Sequence, residues 1–203
     1  MRFFLIFLFV SLHSPGFVWS QSFFSTEAIR GKLSGRADKS KKYNQLDNSF
    51  EGVVSRITDS ESIWVHLEKK RDFIRWTYKL SKSNLDVDRQ EVRIWLRYVS
   101  PKRSISRGKE YNDWFKKKVA YEMGQHFHNR RVRVTYNLLK KVYRLEGMLW
   151  TGDVNVNTWL VRNGWSFYLI EDGDSPFHQD FVAAEQYARQ HKLGLWKAVD
   201  DTK

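Results

Sequence analysis

A predicted strand, a tight turn and a short helix follow one another within residues 142–165, and this succession limits the fold more than any other feature. Arg144 and Glu146 fall on one face of the predicted strand, and Leu145 and Leu149 fall on the other. This alternation is typical of a strand that buries one side. By itself, it fits a strand-turn-helix corner in any small α+β domain.

The second half of this stretch supplies the turn and the helix. Residues 151–153 read Thr-Gly-Asp, which favours a tight turn. Val156, Leu160 and Gly164 then recur at helical spacing, and Gly164 is well placed to end the helix. The stretch therefore predicts a strand that leads directly into a helix.

Length and charge narrow the class of protein. A chain of 203 residues fits one domain with extensions. A hydrophobic content of 41% with nine Trp, nine Tyr and fourteen Phe indicates a packed core, and the mean hydropathy of −0.60 indicates a soluble protein. The net charge of +12 favours a polyanionic partner such as nucleic acid, anionic lipid or an acidic glycan. The alternative is that the basic surface only maintains solubility.

The N-terminus has the pattern of a secretory signal. An apolar run at residues 3–10 follows Arg2, and residues 1–20 are predicted to be a signal peptide cleaved before Gln21. We therefore expect a secreted or periplasmic protein. The apolar run is shorter than the roughly twenty residues that cross a bilayer, and no later stretch is a candidate for a span. The chain contains no Cys, so it has neither a disulfide nor a lipidated cysteine.

The rest of the chain divides into an arm, a domain and a tail. Residues 21–49 are polar and basic, which predicts a tether, or alternatively an arm that binds nucleic acid. The folded domain is expected at residues 50–197, followed by a tail at 198–203. The predicted strands are 52–57, 62–67, 92–99, 131–136 and the one described above, and the predicted helices are 111–127, the short helix above and a last one after Pro176. The long connection at 68–91 contains a candidate extended strand at 73–80.

Particular residues carry a family resemblance. Arg144 precedes Val-Asn at 156–157 and Leu-Val-x-x-Gly at 160–164, and residues 183–196 read AAEQYARQHKLGLW. These two blocks resemble the second half of the thermonuclease, or staphylococcal-nuclease-like, family. The resemblance implies an α+β fold, a five-stranded OB-fold β-barrel with about three helices, and a monomer is expected.

The resemblance also implies a chemistry: calcium-assisted hydrolysis of phosphodiesters in DNA or RNA. In that chemistry a carboxylate-held Ca2+ polarises the phosphate, a Glu activates water, and two arginines stabilise charge in the transition state. Arg93 and Arg144 match the two arginines, which suit phosphate because the guanidinium fork binds two oxygens. Glu61, helped by Asp59, matches the carboxylate that holds the metal. Lys141 matches a lysine near the terminal phosphate.

The sequence departs from the family pattern after the third strand. Members carry Asp-Thr/Ala-Pro-Glu there, with a metal-binding Asp and a general-base Glu. This chain has Tyr98 or Val99 at the Asp position, depending on the direction of counting, and Lys102 at the Glu position. None of these side chains can replace the carboxylate, and Ca2+ normally takes six to eight oxygens.

Two interpretations of this departure stay open. In one, the long connection at 68–91, which we call the insertion, delivers replacement acids from Asp86, Asp88 or Glu91, and hydrolysis continues. In the other, a cationic pocket holds phosphate without cutting it; its members would be Arg93, Arg97, Lys102, Arg103, Lys141 and Arg144. Most aromatic residues are expected in the core, with Tyr168 and Trp76 available to stack on bases. The functional hypotheses are thus an exported nuclease, a nucleic-acid or polyanion-binding module, and a scaffold without a ligand.

Overall fold

A computed structural model describes residues 48–100, 108–170 and 174–198. The predicted signal peptide, most of the arm, Lys102, Arg103 and the end of the tail lie outside the described residues. Within the described ranges, no helix is both long enough and apolar enough to cross a membrane.

Five strands close into a ring. Along the chain, the strands are β1 Ser49–Arg56, β2 Ser62–His66, β3 Leu85–Asp86, β4 Glu91–Leu96, β5 Arg131–Leu139, β6 Arg144–Thr151 and β7 Val154–Asn155. β1 pairs antiparallel with β2 and β5, β2 with β4, and β5 with β6. A parallel pairing of β4 with β6 closes the ring. The short strands β3 and β7 pair with β4 and β6. The predicted five-stranded barrel is confirmed.

Alternate residues of these strands fill the interior of the barrel. Val54 opposes Val65 and Ile63 opposes Ile94, and all four are fully buried. Leu145, opposite Ile94 across the parallel pairing, is also fully buried. Burying these branched side chains removes apolar surface from water, which is the main stabilising contribution to such a core. The side chains between them point to the outer face.

The described residues contain four α-helices rather than about three. They are α1 Lys70–Thr77, α2 Lys109–Phe127, α3 Val156–Arg162 and α4 His178–Gln190, with two 3-10 turns at Lys82–Asn84 and Gly194–Ala198. The Asn155 side chain caps α3 by accepting a hydrogen bond of 2.9 Å from the Thr158 amide. The predicted turn at 151–153 and the helix stop at Gly164, with φ +69°, are both present.

The prediction of a strand at 73–80 was wrong, because this segment forms most of α1. Phe73 and Trp76 are three residues apart, so on a helix they share one face, and both are buried. The Trp76 ring packs against the rings of Phe50 and Tyr136 at 5.8 and 5.0 Å. β4 already pairs with β2 on one side and with β3 and β6 on the other, which leaves no edge for another strand. The helix is therefore how the insertion buries its aromatic residues.

Several strand boundaries also differ from expectation: β1 begins three residues earlier and β5 ends three residues later than predicted, and two other differences have a backbone cause. The third strand of the barrel ends at Leu96 rather than at residue 99, and Tyr98 adopts a left-handed φ of +65°. β6 begins at Arg144 rather than at residue 142, since Tyr143 has φ +48° within the turn that follows β5. Both strands break where a residue takes a conformation that a strand cannot accommodate.

Gly164 and Gly194 join the two sequence blocks that carried the family resemblance. The Leu195 amide donates a 2.8 Å hydrogen bond to the Gly164 carbonyl oxygen. A Cβ on Gly164 would lie 2.1 Å from the Leu193 carbonyl oxygen, and one on Gly194 would lie 2.2 Å from the Gly164 carbonyl oxygen. Both positions have positive φ. The end of α3 and the C-terminal Gly-Leu-Trp therefore interlock through two residues without side chains.

Candidate active site

Three arginines and two tryptophans alternate across the outer face of the barrel. The Arg56 Cζ atom lies 4.1 Å from the centroid of the Trp64 ring, and Arg93 Cζ lies 5.9 Å from the same centroid. Arg93 Cζ is also 4.4 Å from the Trp95 ring centroid, and Arg144 Cζ is 4.9 Å from it. We call these five residues the arginine face. Guanidinium groups at these distances are attracted by the negative faces of the indole rings.

The strand pairing explains why the two predicted catalytic arginines converge. Arg93 and Trp95 are two residues apart on β4, so their side chains leave the same face of the strand. Glu146 pairs with Trp95, and Arg144 precedes Glu146 by two residues on β6. Because Arg93 and Arg144 both contact the Trp95 ring, their guanidinium carbons are no farther apart than the sum of their distances to that ring. The structure therefore places both arginines beside one ring, with their guanidinium carbons at most 9.3 Å apart.

Each of these two arginines is paired with a carboxylate. The Arg93 guanidinium donates to Asp59 Oδ2 and, through Nε, to Ser62 Oγ at 2.7 Å. The Arg144 guanidinium donates to Glu146 Oε1. Asp59 was predicted as a helper of the metal, and here it is the ion-pair partner of Arg93. A phosphate entering this place therefore meets two arginines whose charge is already partly offset by a carboxylate.

Two acidic residues of the insertion form ion pairs with Arg56, the third arginine of the arginine face. Arg56 donates to Asp86 Oδ2 at 2.7 Å and to Glu91 Oε2 at 2.8 Å. The Glu91 residue is only 4% exposed, so Arg56 offsets the cost of burying its charge. Asp88 is exposed. Thus two of the proposed replacement acids bind Arg56.

Glu61 and Asp59 do not form a calcium site with their neighbours. Asp59 Oδ1 accepts the Glu61 amide at 2.8 Å, and Oδ2 accepts Ser62 Oγ at 2.8 Å in addition to Arg93. Glu61 Oε1 accepts a hydrogen bond from Ser100 Oγ at 2.7 Å. In the described part of the chain, no three His, Cys, Asp or Glu residues are grouped as a metal site would require. The residues that the structure describes around Glu61 therefore do not fit Ca2+, which needs several carboxylate oxygens.

The predicted substrate-binding cations occupy different places. The guanidinium of Arg97 lies 4.8 Å from the Tyr98 ring centroid, just beyond the end of β4. The Arg97 amide donates a 3.0 Å hydrogen bond to the Gly147 carbonyl oxygen, and the buried Asn157 side chain donates to the Arg97 carbonyl oxygen at 2.9 Å. Lys141 is exposed on the turn between β5 and β6. Lys102 lies outside the described residues.

The two aromatic residues expected to stack on bases are engaged elsewhere. Trp76 is 1% exposed, so the prediction that its ring stacks on bases was wrong. The Tyr168 ring stacks on Phe181 of α4 at 4.7 Å, and its hydroxyl oxygen accepts the Ser175 amide at 3.0 Å and lies 3.1 Å from His178 Nδ1. Burial raises the pKa of Tyr168. Its ring therefore lies against α4, and its substrate-binding role stays a prediction.

Sequence reasoning missed the two indoles, Arg56 and Glu146. One signal was available, because Arg93 and Trp95 on β4, like Arg144 and Glu146 on β6, follow the two-residue period of a strand. The pairings of Arg56 with Asp86 and of Arg93 with Asp59 join positions about thirty residues apart. Local periodicity does not show such contacts.

A comparison with protein families gives one match. The model of the staphylococcal nuclease homologue family matches residues 94–198, just over half of the chain. The matched part begins one residue after Arg93 and contains Arg144, α3 and the Gly-Leu-Trp ending, whereas β1, β2 and Asp59 precede it. No curated protein matches the chain.

Proposed function

Because the chain belongs to the staphylococcal nuclease homologue family, which implies nuclease-like hydrolysis of nucleic acid, we propose that it is a phosphodiester hydrolase with an altered active site. The observation that supports this most is the contact of Arg93 and Arg144 with the one Trp95 ring. Two guanidinium groups so placed suit a single phosphate, whose oxygens gain negative charge in the transition state.

The carboxylate partners define what is altered. Asp59 and Glu146 hold the two arginines in position before substrate arrives, and they also compete with the phosphate for the same N–H groups. Substrate binding then replaces each arginine–carboxylate contact with an arginine–phosphate contact. Since the carboxylates retain their charge, we expect the site to bind phosphate more weakly than an unpaired arginine pair would.

Glu61 is the proposed proton acceptor for the attacking water. It follows Asp59 in the turn between β1 and β2, and the Ser100 hydroxyl orients one of its carboxylate oxygens. No metal-dependent step is assigned, because Asp59 is committed to Arg93, Ser62 and the Glu61 amide, and Glu61 alone supplies too few oxygens for Ca2+. The second carboxylate oxygen of Glu61 is the one proposed to face the water.

A second candidate is a catalytically silent module that binds nucleic acid or another polyanion. The observation that favours the absence of catalysis is that the three arginines of the arginine face contact four carboxylates: Asp59, Asp86, Glu91 and Glu146. The net charge of +12 still attracts polyanions to the molecule as a whole.

One assay separates the two candidates. Full-length protein is incubated with single-stranded DNA or RNA, with calcium, with magnesium or with a chelator, and both cutting and binding are measured. Arg93→Ala removes one of the two arginines that are proposed to bind the phosphate. Arg131→Ala is the matched control, because Arg131 is an exposed arginine that pairs with Glu68 on another part of the barrel.

The hydrolase predicts cutting that Arg93→Ala reduces roughly a hundredfold or more and that Arg131→Ala leaves unchanged. Salt-sensitive binding without cutting supports the silent module. Protein that neither cuts nor binds at low salt contradicts both candidates. Thermal unfolding of each variant shows whether a loss reflects misfolding.

A further inference from the structure

Two exposed tyrosines lie on neighbouring segments next to the arginine face. Tyr78, at the end of α1, is 89% exposed, and Tyr143, in the turn between β5 and β6, is 58% exposed. The Tyr143 carbonyl oxygen accepts hydrogen bonds from the Ser81 amide at 2.9 Å and from Asn84 Nδ2 at 3.2 Å. These bonds fix the turn against the segment that follows α1. Neither tyrosine was singled out from the sequence.

Exposed cations flank the two tyrosines along the chain. The segments 73–85 and 131–145 contain no Asp or Glu. Within the described ranges no ion pair engages the exposed cations of these segments beside the tyrosines. They are Arg75, Lys79, Lys82, Lys140 and Lys141. We call these five cations, with Tyr78 and Tyr143, the tyrosine surface. Unlike the arginine face, it presents uncompensated positive charge.

A buried indole holds two of these cations, Arg75 on α1 and Lys79 just after it. Arg75 Cζ lies 4.7 Å and Lys79 Nζ lies 5.9 Å from the Trp76 ring centroid. Trp76 itself is 1% exposed and packs on Phe50 and Tyr136 of the barrel. Cation–π contacts of this kind restrict long side chains, so an anionic ligand loses less entropy when it orders them.

The tyrosine surface is continuous with the arginine face. Asn84, which binds the Tyr143 carbonyl, also accepts a 3.0 Å hydrogen bond from Trp95 Nε1. Tyr143 directly precedes Arg144 in the chain. A polymer whose phosphate lies at Arg93 and Arg144 therefore has an adjacent path across the tyrosines.

We propose that the tyrosine surface binds single-stranded nucleic acid, with bases stacked on Tyr78 and Tyr143 and phosphates contacting the surrounding cations. This inference rests on the proposed function, because it assumes nucleic acid at the arginine face. Single strands fit because a protruding ring needs an unstacked base as its partner. The inserted α1 would thereby add affinity that the neutralised arginines do not provide.

The test measures the affinity of full-length protein for a fluorescently labelled oligothymidylate by anisotropy, with a chelator present and across a salt series. Tyr78→Ala is expected to weaken binding roughly tenfold, within the range of base stacking, and Tyr78→Phe to retain it. Lys79→Ala/Lys82→Ala is expected to lower the salt slope by about 1.4. Lys69→Ala/Lys70→Ala, at the opposite end of α1, makes the same charge change and is expected to have much less effect.

The outcomes are separable. Wild-type protein that does not bind at low salt overturns the proposed function and this inference together. Wild-type binding that Tyr78→Ala and the Lys79/Lys82 variant leave intact, while Arg93→Ala weakens it, overturns this inference alone. Vesicles of phosphatidylserine and phosphatidylcholine form a further arm. A loss of vesicle binding in Tyr78→Ala, with unchanged oligonucleotide binding, would assign the surface to anionic lipid and overturn the inference.

Discussion

At the scale of single residues, Asp59 and Glu146 determine how readily Arg93 and Arg144 can bind a phosphate. Asp59 engages Arg93 and also organises the turn that carries Glu61, whereas Glu146 engages Arg144 from within β6. Each carboxylate occupies an Nη2 donor of its arginine, so the affinity for phosphate depends on a competition inside the protein.

Replacing either carboxylate by its amide is expected to strengthen nucleic-acid binding. Asp59→Asn and Glu146→Gln keep the shape of the side chain and remove the charge that competes with phosphate. We predict affinity for single-stranded DNA roughly threefold to tenfold higher than wild type for each, measured by anisotropy at constant salt. Glu68→Gln, which removes the partner of Arg131, is the matched control and should give a smaller gain. Unchanged or weaker binding in both variants would mean that Arg93 and Arg144 do not contact the ligand.

At the scale of elements, the interlock between Gly164 and Gly194 ties α3 to the C-terminal turn. Gly164→Ala places a methyl group 2.1 Å from a backbone carbonyl oxygen and requires a left-handed φ from a residue with a side chain. The left-handed conformation alone costs about 1–2 kcal/mol, and the contact adds to it. We predict a loss of about 3 kcal/mol or more in the free energy of unfolding, measured by urea denaturation.

Gly124→Ala is the control for that substitution. Gly124 lies inside α2, and apart from its own helix no described atom lies within 4 Å of the position that an alanine methyl group would take. Alanine there should raise stability by about 0.5–1 kcal/mol, since it restricts the unfolded chain and favours helix. Equal effects of the two substitutions would contradict the interlock.

The elements also show which parts of the fold the sequence can predict. β1, β2, β5 and α2 follow clear periods, and the Gly164 stop follows from the need for a residue that accepts positive φ. The segment 73–80 was wrongly predicted as a strand because it is rich in apolar residues. Its buried side chains, Phe73, Trp76 and Leu80, are in fact spaced as on one face of a helix. Arg93 and Arg144 were predicted as site residues on a resemblance. Their carboxylate partners could not be predicted, because strand pairing and the insertion, not local spacing, bring them near.

At the scale of the whole molecule, charge is distributed unevenly. The chain carries a net charge of +12, yet the three arginines of the arginine face contact four carboxylates. The tyrosine surface beside it has cations that no described ion pair engages. A long nucleic acid is therefore expected to be attracted first to the tyrosine surface, with the arginine face acting on one phosphate at a time. Asn84, in the segment after α1, connects the two surfaces through its hydrogen bonds to the Tyr143 carbonyl oxygen and the Trp95 indole.

A double-mutant cycle on Arg93 and Arg144 tests most directly whether the two arginines act on one phosphate. The affinity for single-stranded DNA is measured with a chelator present for wild type, Arg93→Ala, Arg144→Ala and the double variant, each checked for folding by thermal unfolding. If one phosphate bridges both guanidinium groups, the double variant loses at least about 1 kcal/mol less than the sum of the single losses. Additive losses, or no loss in either single variant, would contradict the shared phosphate site.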